Sequence, residues 1–269
     1  MGAVYLWELR KLRAQKRTYL GLGGAIVVPI AFVVALALQK GAGPNEIPLG
    51  RALRDTGLAV PFVVLFFMSI WGLPLVAALV AGDIVASESH NGTLKTILTR
   101  SRDRGEVFAG KTCAALTYTV IALFAMVAVG VAAGVIQFGW HPLVSLSGTT
   151  VAPATGLGLL ALSTLVYAWP LIAIAAFGLM LSTVTRNSAA SVVGTLMFAL
   201  LMQLLAALPG TESIRPYLLG EQFSAWHGLL RRPTDWAPIE RAAWVCALYG
   251  GIALFAGYLV FLRRDVTGD

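Results

Sequence analysis

The chain has 269 residues, of which 58% are hydrophobic and only 12% charged, with a mean hydropathy of +0.79. A soluble domain carries about 25% charged residues, so this composition excludes a water-soluble globular fold. The net charge of +7 does not make a nucleic-acid binder, because the basic residues sit beside the ends of apolar runs, where lipid headgroups account for them.

Residues 1–17 place Tyr5, Leu9 and Leu12 at helical spacing among Arg10, Lys11 and Arg13, with Trp7 beside them. This predicts an amphipathic segment lying in the membrane interface. A charge-free window of 22 residues follows, from 18 to 39, and a helix rising about 1.5 Å per residue needs about 20 apolar residues to cross the hydrocarbon core. The motif Ala35-Leu36-Ala37 resembles a signal cleavage site, but signal apolar regions run only about 7 to 15 residues, so the first span is read as uncleaved. The second window, 56 to 82, has 27 residues and contains Pro74, which should kink it.

The segment from Asp83 to Lys111 holds the densest charge in the chain. Asn91-Gly92 is a turn dipeptide, after which Thr93 can cap a short helix whose Leu94, Ile97 and Leu98 share one face, edged by Lys95 and Arg100. Asp103 and Glu106 then stand in capping-box-like spacing ahead of the third span. The shape is that of a docking surface, and Lys111 reads as an interfacial anchor at the foot of span three. Gly105 to Thr112 match the phosphate-loop pattern G-x-x-x-x-G-K-[ST] letter for letter. A phosphate loop needs a preceding buried strand, whereas here Arg100, Arg102, Asp103 and Arg104 precede and a membrane span follows, so no nucleotide site is assigned.

From 112 to 185 no Asp, Glu, Lys or Arg occurs in 74 residues. The run is too long for one span and divides at Gln137, Gly139, Trp140, His141 and Pro142. Further windows cover 187–211 and 242–262, so six helices are expected, over about 19–38, 58–81, 112–136, 155–181, 188–208 and 242–262. Gly130 and Gly134 should let span three pack closely, and Pro170 should kink span four. Between the last two spans, residues 209–241 mix Tyr217, Phe223, Trp226 and Leu229 with charges and four prolines, which predicts a re-entrant or capping segment.

Continuous apolar runs satisfy their backbone hydrogen bonds as helices, so the fold class is an all-α polytopic membrane domain occupying residues 1–269. With the amino terminus inside, the inner segments hold 13 basic residues and the outer segments seven, which places both termini in the cytoplasm. Cys113 and Cys246 lie near opposite ends of the chain and read as buried hydrophobes. The polar groups in the spans are few and uncharged, chiefly Ser69, Tyr118, Ser163, Thr164, Tyr167 and Gln203. Ion-coupled transporters need ionisable groups at membrane depth, so an external energy source is favoured. Two other classes stand beside a driven transporter. An intramembrane hydrolase would need a nucleophile and base at one depth, but His90, His141 and His227 lie in loops, and they also make a poor metal site. An ion or small-solute channel would need charged rings or a filter-like repeat.

The run Glu88-Ser-His-Asn-Gly92-Thr93-Leu94-Lys95-Thr-Ile97-Leu98, with Arg104 and Gly110-Lys111 following, resembles the signature loop of ABC-2 type transporter permeases. The Trp-Glu-Leu-Arg-Lys start, the six spans and the long segment before the last span are similar to that family as well. The family commonly has a Pro near position 101, where this chain has Ser101. The resemblance implies a subunit without catalytic residues of its own, located in the plasma or inner membrane and forming a dimer with a second copy or a paralogue. ATP and Mg would be bound by separate cytoplasmic ATPase partners. It also implies that Glu88, Gly92, Thr93, Leu94, Lys95, Ile97 and Leu98 form the coupling helix that docks on the ATPase. Tyr167 and Gln203 are candidates for a translocation path, and interhelical hydrogen bonding explains them at least as well.

Overall fold

A computed structural model describes residues 2–39, 49–90, 103–185 and 187–263. Among the described residues the fold is all-α apart from one short hairpin, and six helical stretches are long and apolar enough to cross a membrane. Among the described residues the α-helices in chain order are α1 (Gly2–Arg13), α2 (Lys16–Leu38), α3 (Ala59–Ile70), α4 (Gly72–Ala81), α5 (Ala86–His90), α6 (Arg104–Phe138), α7 (Pro153–Thr185), α8 (Ser188–Ala207) and α9 (Ala237–Leu262), of which α2, α6, α7, α8, α9 and the stretch Gly72–Ser89 spanning α4 and α5 are the membrane-length ones. At about 1.5 Å per residue, α6 is roughly 50 Å long, so its ends extend beyond the hydrocarbon layer.

The second window is not one continuous helix. It breaks at Trp71, whose φ of −141° and ψ of −34° are not helical. Pro74 explains the position, since its ring clashes with the carbonyl four residues back, at Ile70, and its nitrogen cannot donate to it. α7, by contrast, runs through Pro170 as one helix.

α7 lies at the centre of the bundle, packing along α9 and against α4, α6 and α8. A Cβ on Gly250 would lie 3.6 Å from Ala173 Cα and one on Gly257 3.2 Å from Met180 Cα, so α9 runs parallel to α7 on small residues. A close backbone approach joins Gly57, ahead of α3, to Gly134 in α6. A Cβ on Gly57 would fall 2.3 Å from the Gly134 carbonyl carbon. Gly134 is therefore a contact point as the spacing predicted, but its partner is another glycine at the entry to α3.

Arg104 donates to the Leu262 carbonyl (2.8 Å), and Gly110 abuts Val4 of α1. Both ends of the described chain thus lie at one face of the bundle, where α6 begins. At the opposite face α6 ends at Gly139 (φ +80°), followed by an antiparallel hairpin that pairs Leu143 with Val151 and Val144 with Thr150. Within 209–241, a 3-10 helix at 221–230 packs onto α7 and α9. Trp226 stacks on Phe62 (5.3 Å) and Tyr167 (6.0 Å), closing the bundle there.

Candidate functional site

The face that carries the chain ends holds a buried string of charges. α1 turns Tyr5, Leu9 and Leu12 inward, but Glu8 stands on that same face and is 1% exposed. Lys111, one turn into the buried part of α6, is wholly buried. Its Nζ lies 2.7 Å from Glu8 Oε1 and 2.6 Å from Glu88 Oε2. Glu88, in α5, also pairs with Lys11 of α1. Lys11 sits 5.5 Å from the ring centre of Trp7. The four groups alternate in sign and sum to zero, which is the condition under which buried charges are tolerated.

This arrangement corrects the reading of Lys111 as an interfacial anchor. Its ammonium does not reach out to the headgroups, because two carboxylates from α1 and α5 meet it inside the fold. The lookalike phosphate loop is accounted for in the same way. Residues 105–112 lie inside continuous α6, capped by Asp103, whose carboxylate accepts from the Gly105 amide (3.3 Å). Gly110 leaves room for α1, since a Cβ there would meet Val4 Cγ1 at 2.7 Å. Lys111 joins the charge string, and Thr112 Oγ1 donates to the Phe108 carbonyl (2.9 Å).

A second set of contacts fixes the turn between α4 and α5. Asp83 is 2% exposed and is held by Arg17 of α2 and by the Ser188 hydroxyl of α8. Ser182 Oγ of α7 accepts from the Val85 and Ala86 amides (3.1 and 2.9 Å), which satisfies the free donors at the start of α5. Gly82 fits against α8, where a Cβ would lie 3.1 Å from Val192 Cα. The chain therefore enters the segment after His90 from a base clamped to α1, α2, α6, α7 and α8. Of the expected docking residues, Glu88 is part of that base, with its carboxylate turned inward. Gly92, Thr93, Leu94, Lys95, Ile97 and Leu98 lie outside the described residues, as does Ser101.

Near the opposite face, Gln203 Nε2 donates to the Ser69 carbonyl (3.0 Å), one of the groups left at the end of α3 by the break at Trp71. Gln203 also lines a cavity of about 670 Å³ between α3 and α8. Tyr167 does not share that cavity wall. It is 1% exposed, enclosed by Phe223 and Trp226. Tyr118 donates to the Thr18 carbonyl (3.2 Å) across the space that Gly21 leaves open. Both cysteines are free, Cys113 exposed and Cys246 buried.

Residues 46–267 match the model of a family described as a protein of unknown function (DUF2705). The chain belongs to the DUF2705 family. A search of the curated proteins finds no match. The matched region of this DUF2705 chain begins after α1 and α2, so it contains Asp83, Glu88 and Lys111 but not their partners Glu8, Lys11 and Arg17.

Sequence reasoning passed over Glu8 and Asp83. The available signal was local: Glu8 interrupts the apolar face between Tyr5 and Leu12 at spacings of three and four. A charge on the buried side of an amphipathic helix requires a partner of opposite sign.

Proposed function

We propose that this chain is the permease subunit of an ATP-binding cassette transporter, working as an exporter with separate cytoplasmic ATPase subunits. The observation that carries the reading is the clamped base of the segment following His90. A segment that transmits force into the spans must be anchored at its root, and here Glu88, Asp83 and the α5 amides are tied to five helices. The resemblance of residues 88–98 to the permease signature loop supplies the expected partner. In this reading the face bearing the chain ends is cytoplasmic, as the excess of basic residues requires.

The division of labour follows from the buried charges. Lys111 and Glu88 hold α1, α5 and α6 as one body, so a push on the segment beyond His90 is delivered to the foot of α6 and not dissipated in a loose loop. Chemical energy enters through the ATPase, and no residue of this chain is assigned a catalytic role. The translocation path would be completed by a second copy or a paralogue.

The test is coexpression with candidate cytoplasmic ABC ATPases and purification on the permease. The reading expects copurification that Leu94→Asp abolishes and that the distant Leu248→Asn leaves intact. Failure of any ATPase to copurify with the unmodified chain would remove the transporter reading in favour of a channel or an enzyme.

A further inference from the structure

On the face opposite the chain ends, the 221–230 helix contributes to two adjacent cavities. The larger, about 670 Å³, is lined chiefly by Phe66, Ile70, Met197, Leu201 and Leu204, and falls within the size range of small-molecule sites. Its α8 wall faces out of the bundle, with Met197 59%, Leu201 51% and Leu204 57% exposed. In a multi-pass membrane protein that opening leads to lipid. The smaller, about 170 Å³, is polar and lined by Glu221, Gln222, Ser224, His227, Arg231 and Arg241. It has room for roughly five or six waters, enough for a phosphate group. Glu221 and Ser224 line both cavities, so the two are adjacent, with Ser224 on the boundary between them.

The polar cavity carries unspent positive potential. Glu221 is occupied by Arg215 (3.1 Å) and Arg231 by Asp235 (3.6 Å). Arg241 has no hydrogen bond or ion pair with any described residue. The Nε2 of His227 is buried and has no hydrogen-bond partner among the described residues. Burial, with Arg231 adding repulsion, lowers the His227 pKa to about 4, so the ring is neutral at pH 7 and can offer a phosphate oxygen a hydrogen bond in its Nε2–H tautomer. A guanidinium and a ring nitrogen without partners among the described residues, beside an apolar cavity, match a ligand with an anionic, oxygen-rich head and a hydrocarbon tail. A quaternary ammonium head would be repelled by the arginines.

We propose that the two cavities form one binding site for an anionic phospholipid of the surrounding bilayer, its phosphate held by Arg241 and His227 and one acyl chain laid along α8. The inference stands apart from the permease reading, since it holds for a channel or an enzyme equally well.

The test uses the purified full chain in detergent micelles, titrated with phosphatidylglycerol or phosphatidylcholine of identical acyl chains and read by native mass spectrometry. The expected result is one retained phosphatidylglycerol, preferred at least about tenfold over phosphatidylcholine. Arg241→Gln should reduce that preference to about threefold or less, while Arg241→Lys keeps most of it. Leu204→Trp, which fills the apolar cavity, should reduce retention of both lipids. Equal retention of the two lipids by the unmodified chain would overturn the proposal, as would an unchanged preference in an Arg241→Gln protein with unaltered thermal unfolding. Displacement of the lipid by millimolar inorganic phosphate alone would also overturn it, since the acyl chain would then contribute nothing.

Discussion

Replacing Lys111 by Met keeps the length of the side chain and removes its charge. In the native protein the ammonium lies 2.7 and 2.6 Å from two carboxylates, and at an effective dielectric constant of about 20 each pair is worth roughly 6 kcal/mol of attraction. Desolvation of the buried groups offsets much of this, so the measurable quantity is the penalty left when one partner disappears. For a buried pair that penalty is about 3 to 5 kcal/mol. In Lys111→Met the remaining string of Glu8, Glu88 and Lys11 carries a net negative charge, with Glu8 stranded. A chain of this size loses about 2 to 4 °C in Tm per kcal/mol, so thermal unfolding in detergent should fall by about 10 °C. The double variant Glu8→Gln with Lys111→Met restores neutrality, because Glu88 keeps Lys11. It should therefore be less destabilised than the sum of the single changes, by more than about 1 kcal/mol. A Lys111→Met protein within about 2 °C of the unmodified chain, or a cycle additive to within about 0.5 kcal/mol, would refute the reasoning.

Gly57→Ala places a methyl group 2.3 Å from the Gly134 backbone, and since backbone on backbone cannot yield as a flexible side chain would, a loss of about 3 kcal/mol is expected in chemical unfolding. Ser182→Ala leaves the Val85 and Ala86 amides without their acceptor; a loss of about 1 to 3 kcal/mol is expected, with faster hydrogen exchange at those two amides. His227 has its folded pKa lowered from 6.5 to about 4, so below pH 6.5 the unfolded chain binds the extra proton. The stability it contributes is complete above about pH 6.5 and is lost as pH falls toward 4, amounting to about 2 kcal/mol at pH 5. His227→Asn should flatten that part of the pH profile; an identical profile would show that the ring is not desolvated.

The spans were readable from sequence because a charge inside hydrocarbon is so unfavourable that its absence over 20 or more residues is itself a signal. The ends of α2, α8 and α9 on the carboxyl side fall within a residue of the expected limits. α6 and α9 begin several residues earlier, because their first turns lie outside the apolar windows. The break at Trp71 was half visible: Pro74 announces a disturbance, but whether a helix bends or stops depends on groups such as Gln203 that meet the freed carbonyls. The pairing in the charge string was not readable, since Glu8 and Lys111 stand 103 residues apart; the place of Glu8 on an apolar face calls for a partner without saying which. The positive-inside argument added to the difficulty by giving every lysine near a span the same explanation. Tyr167 looked available for cargo because a span's periodicity does not say which of its faces the 221–230 helix will cover.

The most direct test of the proposal that a clamped segment couples this chain to an ATPase is the rate of ATP hydrolysis in proteoliposomes holding the chain and a candidate cytoplasmic ABC ATPase. The account predicts a rate several-fold above that of the ATPase alone, lost in Leu94→Asp and reduced in Lys111→Met at temperatures where that variant is folded. A rate identical with and without the chain would contradict it.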